Sequence, residues 1–328
     1  MSAVPRMRCS VRHALKRTPG LLRPFQSQAC LRHENPLGLP KSGTPPRLDR
    51  RLPPKPLPIR DVAKVVAVSS AKGGVGKSTI AANLALAFAR QGYRTGILDT
   101  DIFGPSIPTL FNLSGEPRLS ENNQLVPLTN YGVKTMSMGY LVPAGQAVAW
   151  RGLMLGRALN QLLREVAWDG LDVLVLDLPP GTGDTQLSIA QQVVVDGAVV
   201  VTTPHTLAVQ DAVRGIQLFR KANVPLLGIV RNMDVFCCPH CHGETRVFGD
   251  SDAVTAASTD LNVPLLASIP LHPSIGDDAH RGRPTVVAEP DSQRAAVFLQ
   301  LARDVVAKIG LDARTVSTSS GREPERTH

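Results

Sequence analysis

The 328-residue chain predicts an α/β fold, a mostly parallel sheet flanked by helices on both faces, as a single domain behind an N-terminal segment of different character. Three observations carry that expectation. From Asp61 onward, short apolar runs alternate with amphipathic stretches, the pattern of strands buried on both faces and joined by helices. One run, Val65-Val66-Ala67-Val68, leads into the glycine-rich turn of residues 71–79 and then Ile80-Ala81-Ala82-Asn83-Leu84-Ala85. Another, Leu171 to Leu176, ends in Asp177 and the turn Pro179-Pro180-Gly181-Thr182-Gly183, which puts polar chemistry at the carboxyl end of a strand.

Taken in order, apolar runs predict strands at 64–70, 94–98, 171–177, 197–202, 225–231 and 264–269. Amphipathic stretches predict helices at 77–91, 152–166, 184–194, 206–221, 251–260 and 291–309. A hairpin-like excursion at 125–138 carries Tyr131-Gly132-Val133. The last helix bears Ala295, Phe298, Leu299, Leu301, Val305, Val306 and Ile309 at core-packing spacing.

The net charge of +9 is unevenly placed. Residues 1–60 hold 13 Lys/Arg against Glu34 and Asp49, a net of +11, so the remainder carries 9 − 11 = −2. A nucleic-acid binder should carry its basic patch on the folded domain; this chain carries it on a tail. Up to Arg32 that tail has seven basic residues and no acid, with Leu15, Leu21, Leu22 and Phe25 interleaved. This is the composition of a mitochondrial transit peptide over 1–33, and the matrix is the expected location. A basic arm binding RNA or a membrane is the alternative. Residues 34–60 contain eight prolines and read as a linker, 61–312 as the folded domain, and 313–328 as a disordered tail. No apolar stretch approaches the ~20 residues of a membrane span.

Residues 71–79 read Ala-Lys-Gly-Gly-Val-Gly-Lys-Ser-Thr. A strand, a glycine turn and a helix start in this register hold a nucleoside triphosphate. Gly73, Gly74 and Gly76, with Val75 between them, let backbone N–H groups converge on phosphate oxygens. Lys77 neutralises the outer phosphates, Ser78 ligates Mg²⁺, and Thr79 opens the helix. An extra lysine, Lys72, precedes the glycines; in a two-fold dimer it can reach the partner's phosphates as an arginine finger does. An incidental glycine turn would not explain the flanking strand and helix.

Three further positions belong with that loop. Asp177, at its strand end, can hold Mg²⁺ through the ion's water shell, and the turn after it can respond to the γ-phosphate. Asp99 and Asp101, two apart in an extended segment, face one side; Asp101 is expected to position the attacking water and Asp99 to support the metal. The Asn232 amide could pair with an adenine edge or could be a buried structural group.

Of five cysteines, Cys9 and Cys30 lie in the leader, which leaves Cys237, Cys238 and Cys241. In a reducing compartment these read as metal ligands. Cys238-Pro239-His240-Cys241 supplies two thiolates, and a closed zinc site or a cubane cluster needs four ligands. The economical solution is two copies of the chain, each giving Cys238 and Cys241 to one shared centre. A redox-active thiol pair and a one-chain zinc knuckle using histidine are the alternatives.

The lysine-first loop, Asp99-Thr-Asp-Ile-Phe-Gly-Pro-Ser106, Trp150-Arg151-Gly152, Asp177 to Asp184 and Cys238-x-x-Cys241 occur together and in this order. Together they resemble the Mrp/ApbC family of deviant-Walker P-loop ATPases, from about Val65 to Gly310. The resemblance implies a MinD-like P-loop fold and a homodimer that binds ATP with Mg²⁺. It also implies a labile 4Fe–4S cluster between subunits on Cys238 and Cys241, and slow ATP hydrolysis coupled to cluster transfer. The leader, Met136-Ser137-Met138-Gly139 and Trp150-Arg151-Gly152-Leu153-Met154 narrow the resemblance to mitochondrial members that serve respiratory complex I. Its apo iron–sulfur subunits are therefore the expected clients, with a peripheral seat at the inner membrane and, from the charge placement, no nucleic-acid partner. Departures from the family pattern are Ala71 for glycine, His205 for glutamine, and the extra Cys237. Two rival readings remain: a partition-type positioning ATPase on DNA or membrane, with helix 291–309 as its anchor, and an ATP-driven electron carrier.

Overall fold

The computed structural model describes residues 55–312, except Phe103, 142–151, Pro239, His242 and Ser251. The segment expected to be a leader, the proline-rich stretch up to residue 54, residues 313–328 and Trp150-Arg151 lie outside the described residues. In chain order the elements are β1 (Val62–Ser69), α1 (Lys77–Arg90), β2 (Thr95–Asp99), α2 (Ile107–Leu110), β3 (Leu128–Asn130), β4 (Val133–Ser137) and α3 (Gly152–Arg164). They continue as β5 (Leu171–Asp177), α4 (Asp184–Gln192), β6 (Gly197–Thr202), α5 (Thr206–Lys221), β7 (Leu226–Cys237) and β8 (Glu244–Thr245). The last are α6 (Asp252–Asp260), β9 (Leu265–Leu271), α7 (Pro273–His280), α8 (Thr285–Ala288) and α9 (Gln293–Ile309).

The strands form one sheet in the order β3-β4-β2-β5-β1-β6-β7, with β8 and β9 both paired to β7. Among the strand pairs of the described residues, only β3–β4 and β7–β8 are antiparallel. Alternation along each strand builds two cores. Val66, Val68, Val173, Val175, Val199 and Val201 face α1 and α9. Ala67, Leu174, Leu176 and Val200 face Leu162 of α3, Ile189 of α4 and Phe219 of α5.

Six strands and six helices thus stand where the sequence put them, within about two residues at most ends. Four differences matter. The 125–138 excursion is a hairpin, yet its second strand, β4, also joins the main sheet as the parallel neighbour of β2. The short helices α2, α7 and α8 were not anticipated, because four to eight residues are too few to display a helical period. β7 runs on past Arg231 to Cys237. Finally, the proline-rich stretch does not stay a linker up to residue 60. Ile59 is 3% exposed, Leu57 N–H donates to Gln192 O at 3.0 Å, and Val194 N–H donates to Leu57 O at 3.1 Å. Burying Ile59 and pairing those amides fixes residues 57–59 to the domain.

Candidate functional site

The carboxyl ends of β1, β2 and β5 meet at a cavity of ≈ 560 Å³. Gly73, Gly74, Gly76, Lys77, Ser78 and Thr79 form one wall; Asp101, Ser106, Thr109 and Pro180 form others. Gly74 and Gly76 have φ of 79° and 85°, in the left-handed region. Gly76 is required twice over, since a Cβ there would stand 2.3 Å from Asn232 Nδ2. Ala71 is not among the residues of positive φ, so the alanine needs no glycine-only angle.

Lys77 is 6% exposed, and its Nζ lies 2.5 Å from Asp177 Oδ1 and 3.1 Å from Ser78 Oγ. Asp177 is fully buried, and its Oδ2 has no hydrogen-bond partner among the described residues. Burial pushes the Asp177 carboxyl up, against the pull of Lys77. An unpaired carboxylate oxygen beside a serine hydroxyl is a hard-oxygen donor set, and it fits Mg²⁺. Asp177 and Ser78 would hold the ion, which supplies charge neutralisation on the phosphates.

The turn after β5 is stitched to the phosphate loop. Gly181 N–H donates to Ser70 O at 3.0 Å, and buried Gln186 accepts from Ser69 Oγ at 3.2 Å and donates to Ser70 O at 3.4 Å. Gln186 escaped sequence reasoning; its only signal was a polar residue on the inward face of α4, three residues past Gly183. Gly276, Ala279 and His280 of α7 also line the cavity and were missed with that helix.

Asp101 faces the cavity, with Oδ1 accepting from Gly104 N–H at 3.2 Å. Asp99 does something other than support a metal. It is fully buried; Oδ1 accepts from Asp101 N–H, and Oδ2 accepts from Ser106 N–H, Ile107 N–H and the Ser137 hydroxyl. Both oxygens are spent on organising the β2 loop and the start of α2. Asp99 is also the register partner of Asp177. Burial first, and that neighbouring carboxylate second, push its pKa up to about 7.

Asn232 likewise meets backbone rather than a base edge. Its Nδ2 donates to Val75 O at 2.8 Å, so β7 supports the phosphate loop from below. Lys72 is exposed and does not line the cavity. His205 caps α5, accepting from Leu207 N–H at 3.2 Å.

The cysteines stand at the other end of β7. The antiparallel β7–β8 pair matches Phe236 to Thr245 and Cys237 to Glu244, and Cys238 N–H donates to Gly243 O at 3.0 Å. Cys238 and Cys241 therefore sit in the turn of a short hairpin, Cys241 exposed and Cys238 half-buried. Backbone N–H groups of Cys241 and His240 hold the Cys238 thiol below its ordinary pKa, which favours the thiolate that metals bind. Among the described residues, no group of three or more His, Cys, Asp or Glu side chains is placed to hold a metal ion.

α9 is not an exposed anchor. Phe298, Leu301, Ala302, Val305 and Ile309 are buried, and Gln91 of α1 donates to Leu299 O at 2.8 Å.

A family model described as "ParA: NUBPL iron-transfer P-loop NTPase" matches residues 61–306. The chain is 49% identical over 258 residues to the mouse "Iron-sulfur cluster transfer protein NUBPL", covering 78% of this chain and 81% of that protein. It is 47% identical over 252 residues to the "Iron-sulfur cluster carrier protein" of Escherichia coli K12, covering 76% and 68%. A solved nucleotide-binding protein of Archaeoglobus fulgidus, in complex with ADP, superposes with a TM-score of 0.61 at 36% identity, covering 73% of this chain and 93% of that one. The cell-division ATPase MinD of Pyrococcus furiosus, at 21% identity and a TM-score of 0.56 over 75% and 99%, shares the fold. With the glycine loop, the buried Lys77–Asp177 pair and the cysteine hairpin all inside the matched span, the chain belongs to the NUBPL iron-transfer P-loop NTPase family.

Proposed function

We propose that the chain is an ATP-dependent iron–sulfur carrier: two copies hold one 4Fe–4S cluster as cargo on Cys238 and Cys241 and pass it to apo iron–sulfur proteins. The observation that carries this reading is the half coordination shell. Two thiols share one hairpin turn, the Cys238 thiol is lowered, and no third metal-ligating side chain is grouped with them among the described residues. Four ligands then require a second chain. The names of the mouse and bacterial relatives support the cargo; the clients we propose are iron–sulfur subunits of respiratory complex I, in the mitochondrial matrix.

In this reading the cavity at the end of β1 takes ATP with Mg²⁺. Lys77 leaves Asp177 for the outer phosphates, Ser78 and Asp177 attend the ion, and Asp101 orients the attacking water. Lys72, exposed at the mouth of the loop, serves the nucleotide of the partner subunit. A positioning ATPase working through α9 is disfavoured, because the apolar face it would need is already used in the core.

The test is anaerobic reconstitution with iron and sulfide, followed by metal analysis and mass determination. One cluster per two chains is expected, with the molecular mass doubled on loading. Cys238→Ala and Cys241→Ala should each lose the visible absorbance of thiolate-bound iron. A fully loaded monomer, or absorbance that survives removal of both cysteines, would refute the assignment.

A further inference from the structure

Behind the cysteine turn lies a second cavity, of ≈ 500 Å³, which the carrier reading does not use. Cys237 and Cys238 form one side of it; His272, Gln293 and Arg294 form the other, with Pro270 and Val297 completing the lining. The polar wall is rich in donors. His272 caps α7 by accepting Ser274 N–H at Nδ1 (3.2 Å), which assigns its proton to Nε2 and makes that atom a donor. Arg294 pairs with Glu289 through Nη2, while its Nε–H is buried and has no hydrogen-bond partner among the described residues. Folded chains rarely keep a buried donor unsatisfied, and the exceptions ask for an acceptor that completes them.

The acceptor nearest in chemistry is sulfur. Thiolate and inorganic sulfide carry the lone pairs that such N–H groups need, and Cys238 belongs both to this cavity and to the proposed cargo site. We propose, building on the carrier reading, that Arg294 and His272 are positioning residues for the cluster: Arg294 Nε–H and His272 Nε2–H donate to its sulfur atoms. The polarity of the two sides fits this assignment, thiols facing donors with no carboxylate in the lining. Donors to cluster sulfur withdraw electron density and raise the reduction potential. They also hold the cargo by bonds that break without displacing a cysteine.

Arg294→Lys keeps a cation for Glu289 and removes the N–H at the Nε position. His272→Asn keeps a capping side chain for α7 and carries no donor as far out. The two changes sit on different elements, so one that disturbs folding leaves the other to decide. Wild type and both variants are reconstituted anaerobically, and the midpoint potential and visible spectrum of the loaded protein are recorded. A shift to more negative potential in each variant is expected, larger in the double variant, with a changed charge-transfer band. Loaded protein whose potential is the same in wild type and both variants overturns this inference alone. Wild type that takes up no iron at Cys238 and Cys241 overturns the carrier reading with it.

Discussion

At the scale of single residues, the buried pair Lys77–Asp177 decides most. Both side chains are buried, Asp177 fully and Lys77 against the nucleotide cavity, and the pair is closed at 2.5 Å. Lys77→Ala should abolish nucleotide binding and also destabilise the nucleotide-free protein by about 3–5 kcal/mol, because it strands a carboxylate in the core. The double variant Lys77→Met with Asp177→Asn should lose nucleotide equally but regain most of that stability, as denaturant titration would read. Equal stability loss in the single and double variants would contradict the account. Asp99 makes a second prediction. Its carboxyl titrates at about 7 when folded and near 4 when unfolded, so across that window the native state holds a proton the unfolded chain has lost. Stability from this group therefore falls as pH rises from about 4 to about 7. In thermal melts, wild type should lose ground to Asp99→Asn over that interval; a gap independent of pH would sink the claim.

Elements differ in how plainly they were written in the chain. β1, β5 and β6 are apolar runs buried on both faces, so hydropathy alone marks them. α9 has a 17-residue amphipathic pattern with Ser292 at one end and Gly310, φ 65°, at the other. Its role was the ambiguous part, since an amphipathic stripe reads equally as core or as anchor. Packing resolves it. Phe298 is fully buried between α9 and the sheet, and Phe298→Ala should cost about 3–5 kcal/mol in urea unfolding; a cost under about 1 kcal/mol would mean an exposed face. α7 and the end of β7 were illegible for a different reason. α7 is eight residues long and starts at a proline. The end of β7 mixes Arg231, Asn232 and Asp234 with apolar residues and pairs irregularly with β9, which breaks the uniform apolar run that marks a buried strand. Site residues followed the same rule: the loop 71–79 announces itself by spacing, whereas Gln186, His272 and Arg294 reach their sites from distant elements. The roles of Asp99 and Asn232 were obscured because backbone amides and carbonyls, which leave no mark in a sequence, claim their side chains.

At the scale of the whole molecule, two sites share one sheet edge. The nucleotide cavity and the cysteine hairpin have α7 between them: Gly276, Ala279 and His280 line the first, while His272, its capping residue, lines the cavity behind the second. β7 makes the same passage along the sheet. Asn232 holds Val75 O at 2.8 Å, Met233 follows with φ of 56°, and Cys237 ends the strand. Between Asn232 and Phe236 the pairing of β7 with β9 shifts register, so the strand is interrupted once on its way to the cysteine turn. A paired strand is stiff along its ladder and bends most readily where the pairing is irregular. Here the single left-handed residue supplies the bend, directly next to the contact with the loop. This bend in β7 thus sits beside the support for the phosphate loop, and the cysteine turn hangs from the strand beyond it.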